Sequence, residues 1–205
     1  MAEVKIDKMD NLQFDVLKEI GNIGAGNATT ALSKMLNAKI DMKVPKIDLL
    51  EFKDLSEIIG GAENIVVGIL LTLEGDIDGM IMFVLEEASA HRIVNLLMNG
   101  LCEPSEGFNE IECSALQEIG NIIAGAYLSS LSKLTNMTIT SSVPYLAIDM
   151  AGAILSVPAI EFGKISDKAL LIETEFGEKD DEVNGYFILI PTLESYGSIL
   201  TSLGL

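Results

Sequence analysis

The chain has 205 residues, 49% hydrophobic and 21% charged, enough apolar material for an ordered core and too much for a disordered chain. A net charge of −18 repels phosphate backbones and excludes nucleic acid as an expected partner. No apolar run approaches the roughly 20 residues of a membrane helix, and the opening MAEVKIDKMD is no signal peptide, so no membrane span and a cytoplasmic location are expected.

Residues 1–9 are a short leader. Asp10 has the character of a helix N-cap, with Gln13 in the capping-box position and Met9 and Phe14 as a hydrophobic staple. A helix is predicted over 11–36. On its wheel Val16, Leu17, Ile20, Gly24, Ala31 and Met35 fall on one side, and Asp15, Glu19, Asn22, Gly26, Thr29 and Ser33 on the other. Lys34 suits the negative helix end, and Asn37 the left-handed residue that closes a helix. A strand over 39–44 ends at Pro45, where ladder pairing stops. Strands over 63–73 and 79–85 follow, joined by EGDIDG, and then a helix over 86–99. His91 lies in that helix. As the chain's single histidine, with no cysteine partner near it, it is a poor metal ligand and offers no Ser-His-Asp arrangement. Cys102 and Cys113 form no CxxC pair and are expected to be reduced thiols.

After a connector over 101–107 the same series returns. Asn109 and Glu112 make a second capping box. Leu116, Ile119, Ile123 and Leu134 are predicted to face inward, and Ser114, Glu118, Asn121, Gly125 and Ser132 outward. Lys133 and Asn136 close this helix as Lys34 and Asn37 close the first. A strand over 138–143 ends at Pro144. Strands over 169–176 and 186–190 are joined by GEKDDEVNG, seven residues longer than the first copy's link, with Asn184-Gly185 as its turn signal. A last helix is expected over 193–203. The nearly uncharged stretch 146–155 has no match in the charged first copy; buried packing is favoured there over a partner surface.

The expected fold class is α+β, with an internal two-fold repeat. About three strands per copy would form one antiparallel sheet, with two long amphipathic helices and shorter helices packed on it. Residues 1–205 read as a single domain made of two pseudo-repeats, about 10–103 and 108–205.

The repeat is sharpest at LKEIGNIGAG (17–26) and LQEIGNIIAG (116–125), 99 residues apart, where the core EIGNIGAG matches EIGNIIAG at seven of eight positions. Glu19 and Asn22, like Glu118 and Asn121, are i and i+3 and project from one helix face. An exposed polar pair ordinarily only solvates a surface. Surface positions drift freely, because most such changes alter stability by about 0.5 kcal/mol or less. Lys18 has become Gln117 and Thr29 has become Leu128, yet Glu and Asn are the same in both copies. An amide accepts from and donates to water, so it fixes a water's orientation, as a glutamine does for the attacking water in GTPases. A carboxylate beside it pairs with a partner's lysine and sets register. Gly26, one turn beyond Asn22, leaves room for another molecule's backbone. With no P-loop, metal cluster or general-base histidine, such a site needs its substrate protein to supply the remaining charge stabilisation. A glycosidase-like pair of Glu19 with Glu118 is disfavoured, because each copy holds its own Glu–Asn set.

The spacing Asp or Ser, three residues, Glu, two residues, Asn, twenty-two residues, Pro resembles the signature of the CheC/CheX/FliY phosphatases of bacterial and archaeal chemotaxis. Asp15, Glu19, Asn22 and Pro45 fit it in the first copy, and Ser114, Glu118, Asn121 and Pro144 in the second. Two complete motifs, with no further switch-type domain, resemble the CheC branch. The resemblance implies hydrolysis of the aspartyl phosphate on the response regulator CheY. The resemblance implies that Asn22 and Asn121 would place the water, and that Glu19 and Glu118 would dock the regulator through its active-site lysine. It implies no cofactor of the chain's own, Mg2+ on the CheY substrate, and CheD as a further partner. The alternative is a non-catalytic adaptor or decoy that binds phosphorylated CheY and CheD.

Overall fold

The computed structural model describes residues 11–36, 41–44, 46–98, 100, 107–162, 168–177 and 183–204. The first half contains α1 (Asn11–Leu36), β1 (Asp41–Lys43), β2 (Ile47–Glu51), α2 (Phe52–Ile58), β3 (Ile65–Gly75), β4 (Gly79–Glu86) and α3 (Glu87–Leu97). The second contains α4 (Glu110–Thr135), β5 (Ile139–Ser141), β6 (Tyr145–Met150), α5 (Ala151–Phe162), β7 (Lys168–Gly177), β8 (Val183–Pro191) and α6 (Leu193–Ser202). The two halves run through the same order of elements, as an internal repeat requires.

Among the described residues, eight strands join one antiparallel sheet, ordered β1-β7-β8-β4-β3-β5, with β2 also pairing β7 and β6 also pairing β3. The pairing shows where the symmetry lies. Gly79 pairs with Pro191, Met82 with Ile188 and Leu85 with Gly185. These three pairs map onto one another under the 106-residue offset between β4 and β8, so the pseudo-twofold passes at Met82 and Ile188. The outer strands then change sides: β1 and β2 pair with the second half's β7, and β5 and β6 with the first half's β3.

Alternation along the strands builds two cores, because successive strand side chains point to opposite faces. Val67, Ile69, Leu71, Ile81, Phe83, Phe187 and Leu189 face one way, into a core shared with α1, α3, α4 and α6. Val66, Met80, Met82, Val84, Ile188 and Ile190 face the other way, under Leu55 and Ile59 near α2 and Ala151, Ile154 and Leu155 of α5. Helices on both faces explain why seven of the eight residues of β4 are buried.

Several expectations are corrected. Among the described residues each half has four strands rather than about three, because β2 and β6 were not foreseen. Stretch 146–155 does have a first-copy counterpart: β6 and α5 repeat β2 and α2 in order and place. That stretch is also divided, with β6 largely exposed along an edge while Ala151, Ile154 and Leu155 are buried. Asn184 and Gly185 form no turn; they pair with Glu175 and Thr174 inside the β7–β8 ladder. Leu134 is 43% exposed rather than inward. Thr29, Ser33 and Ser132 are half-buried rather than outward.

Among the helix-end signals, the second capping box forms at the start of α4: the Asn109 side chain accepts from the Ile111 and Glu112 backbone amides at 2.9 and 3.0 Å, and the Glu112 carboxylate accepts from the Asn109 backbone amide at 2.8 Å. Asn136 takes the left-handed conformation, φ 57°, that ends α4. Asp10, Met9, Asn37, Pro45, Cys102 and most of the connector lie outside the described residues.

Candidate functional site

α1 and α4 pack against each other on the same face of the sheet. Their contact is asymmetric in detail. A Cβ on Gly24 would come within 2.6 Å of Tyr127, and the Asn27 amide donates to the Ser130 hydroxyl at 2.9 Å. Gly21 and Gly120 fit both helices to the material beneath: a Cβ would meet Ile47 at 3.2 Å in the first copy and Ile69 at 2.5 Å in the second. The inner stripe is thereby fixed, and it determines which residues the outer stripe presents.

Asp15, Glu19, Asn22 and Gly26 occupy positions 0, 4, 7 and 11 of one stripe, and all four are exposed. Ser114, Glu118, Asn121 and Gly125 are exposed at the equivalent places on α4. None of Glu19, Asn22, Glu118 and Asn121 has a hydrogen bond or ion pair among the described residues. Two functional groups of matched spacing therefore stand on each helix with their bonding capacity unused. A Cβ added at Gly26 or Gly125 would meet nothing within 4 Å. A helix-interior glycine costs about 1 kcal/mol relative to alanine, so neither glycine is explained by packing.

The supporting positions differ. The Ser114 hydroxyl donates to the Glu110 carbonyl of its own helix at 2.8 Å, a bond that Asp15 has no hydroxyl to make. Pro144 is half-buried, and its carbonyl accepts from Gln117 Nε2 at 3.2 Å, which ties the β5–β6 loop to α4 one turn before Asn121. Residue type alone gave no sign of Gln117. It aligns with Lys18 and read as surface drift; its partner lies 27 residues away and is set only by the fold.

Cys113 is half-buried, and burial first, then Glu112 and Glu110, raises its thiol pKa, which favours an unreactive thiol. Among the described residues no group of three or more His, Cys, Asp or Glu is arranged to hold a metal, and no helix is long and apolar enough to cross a membrane.

A family model described as "CheC-like family" matches residues 12–48 and 111–147, which take in the two long helices, β1 and β5, and the starts of β2 and β6. The chain is 35% identical over 196 residues to the CheY-P phosphatase CheC of Bacillus subtilis, covering 94% of each protein. It is 29% identical over 184 residues to the flagellar motor switch phosphatase FliY of the same organism, covering 87% of this chain and 46% of that one. Among solved structures, Thermotoga maritima FliY superposes with a TM-score of 0.77 at 24% identity, over 96% of this chain and 98% of that one.

Proposed function

The chain belongs to the CheC-like family, and on that premise we propose that it is a phosphatase of phosphorylated CheY with two sites, one on each long helix. The observation that carries the proposal is the pair of exposed, unbonded Glu–Asn sets at matching places on α1 and α4. In this reading Asn22 and Asn121 each hold a water through a hydrogen bond that the amide oxygen accepts, aligned with the phosphorus. The water adds to phosphorus, the acyl-phosphate P–O bond breaks, and aspartate and inorganic phosphate leave. Glu19 and Glu118 dock the regulator by pairing with a lysine beside its phosphorylated aspartate. The reaction needs little covalent help from the chain, because phosphoryl transfer is promoted mainly by positioning and charge stabilisation. Mg2+ and the lysine belong to CheY, and CheD is a second proposed partner.

The test is phosphate loss from phosphorylated CheY with and without the protein. The Asn22→Ala/Asn121→Ala protein should fold, bind and leave the rate at that of CheY alone. Acceleration equal to wild type would refute the assignment of Asn22 and Asn121. Binding by the wild type without faster phosphate loss would make the protein an adaptor instead.

A further inference from the structure

Val143, next to Pro144, sits differently from its first-copy counterpart Val44. In the first copy Val44 is buried, 7% exposed, and lies 3.6 Å from where a Gly21 Cβ would stand. The equivalent Val143 is 86% exposed, and Tyr145 beside it 68%. Val143 lies on the loop before β6 and Tyr145 opens that strand, and an exposed apolar side chain on a loop would ordinarily be left to move. Here the backbone is pinned on both sides of Val143. Ser142 donates its amide to the Thr72 carbonyl and its hydroxyl accepts from the Thr72 amide, each at 3.0 Å, while the same hydroxyl donates to the Val143 carbonyl at 3.0 Å. Beyond Val143, the Pro144 carbonyl accepts from Gln117. Gln117 and Asn121 are i and i+4, so the tether stands on the stripe that presents Asn121. The first copy has Lys43 and Lys18 at the places of Ser142 and Gln117, and Lys18 is exposed.

We propose that Gln117 is a positioning residue of the second site: it holds Val143, Pro144 and Tyr145 beside Asn121 as an apolar lip for the docking regulator. This rests on the phosphatase reading above. The occupant is the face of CheY around its phosphorylated aspartate, which brings a cationic group to Glu118 and an apolar side chain to the lip. A held loop loses less freedom on binding than a loose one, so the tether acts on affinity. In the first copy Val44 is buried and Lys46 stands at the place of Tyr145, so the first site docks through Glu19 and its open helix face.

The experiment uses the full chain in two settings, Asn22→Ala, which leaves the second site working, and Asn121→Ala, which leaves the first. Gln117→Leu and Val143→Ala are introduced into each, and initial rates of phosphate loss are measured against the concentration of phosphorylated CheY. With the second site working, Gln117→Leu should raise KM about fivefold with kcat nearly unchanged, the size of one neutral hydrogen bond. Val143→Ala should raise KM in the same direction. With the first site working, neither substitution should move KM. An unmoved KM in the Asn22→Ala protein, a fall in kcat alone, or an equal change in both settings would overturn the proposal. Full activity in the Asn22→Ala/Asn121→Ala protein would remove the phosphatase reading and this proposal together. That result is distinct from an unmoved KM in a protein whose activity still depends on Asn121.

Discussion

The two halves of the molecule differ in their shared interior, where proteins usually vary little. At the contact between α1 and α4, Gly24 and Tyr127 meet, whereas the equivalent residues are Ile123 and Ala28, all four in the interior. Small and large side chains have exchanged sides across the pseudo-twofold. On the outer stripe, which packs against nothing, Glu, Asn and Gly are identical. Interior packing can trade volume between neighbours and still reach native density. A group that acts on another molecule has no neighbour to trade with. The contrast separates what holds the fold from what the fold presents.

The strongest way to break the comparison is to silence the sites one at a time. The Asn22→Ala/Asn121→Ala protein should lose about 100-fold or more of its acceleration, as enzymes do when a positioned polar group at the reacting centre is removed. Each single variant should retain the share contributed by the intact site, and phosphate release reads that share directly. A single variant as inactive as the double would mean that the two helices form one site.

The next effect concerns stability. Gly24→Ala places a methyl 2.6 Å from Tyr127 Cδ1. Tyr127 is held by stacking on Phe187, ring centroids 4.2 Å apart, so it has little room to yield. Chemical denaturation should show a loss of about 1–3 kcal/mol, the usual cost of overpacking. An unchanged midpoint would show that the helix contact adjusts freely.

Much of this arrangement was legible in the sequence, because it follows from local chemistry. The Asn109–Glu112 box, the left-handed Asn136 and the apolar runs that became β3, β4, β7 and β8 need only nearby residues. What was not legible depends on distant ones. α2 has only seven residues, and α5 carries Pro158, which breaks a helical pattern when read along the chain. Asn184-Gly185 is a strong turn signal, overridden by pairing with β7. In the site, Glu19, Asn22, Glu118 and Asn121 stood out because the repeat displayed them twice. Gln117 did not, because its role exists in one copy only.

Gly26→Ala and Gly125→Ala sharpen the comparison by setting stability against docking. Both added methyls enter open space. Each should stabilise its helix by roughly 0.5–1 kcal/mol, the propensity gain of alanine over glycine. Each should also weaken docking at its own site, because the methyl occupies the approach beside Asn22 or Asn121. Melting temperature should rise while KM rises. A rise in melting temperature with unchanged KM would mean that no partner backbone passes there.

The smallest effect belongs to Tyr127, whose counterpart is Ala28. Its hydroxyl is buried with no hydrogen-bond partner among the described residues. Burial pushes its pKa up to about 12, with Thr174 offsetting this slightly. The geometry shows no bond between the two hydroxyls; Thr174 donates to the Ile172 carbonyl at 3.4 Å, so burial is the operative cause. An unfolded tyrosine ionises near pH 10, so above that pH the unfolded chain loses a proton that the folded chain keeps. The stability this represents is complete below pH 10 and is lost as pH rises toward about 12. Tyr127→Phe should therefore flatten the alkaline decline, leaving the part due to Tyr186, whose pKa burial also raises. Near neutral pH it should gain up to about 1 kcal/mol by removing an unsatisfied hydroxyl. Denaturant midpoints from pH 7 to 11 measure both effects. An alkaline decline identical to wild type would show that the Tyr127 phenol ionises as readily in the folded chain as in the unfolded one.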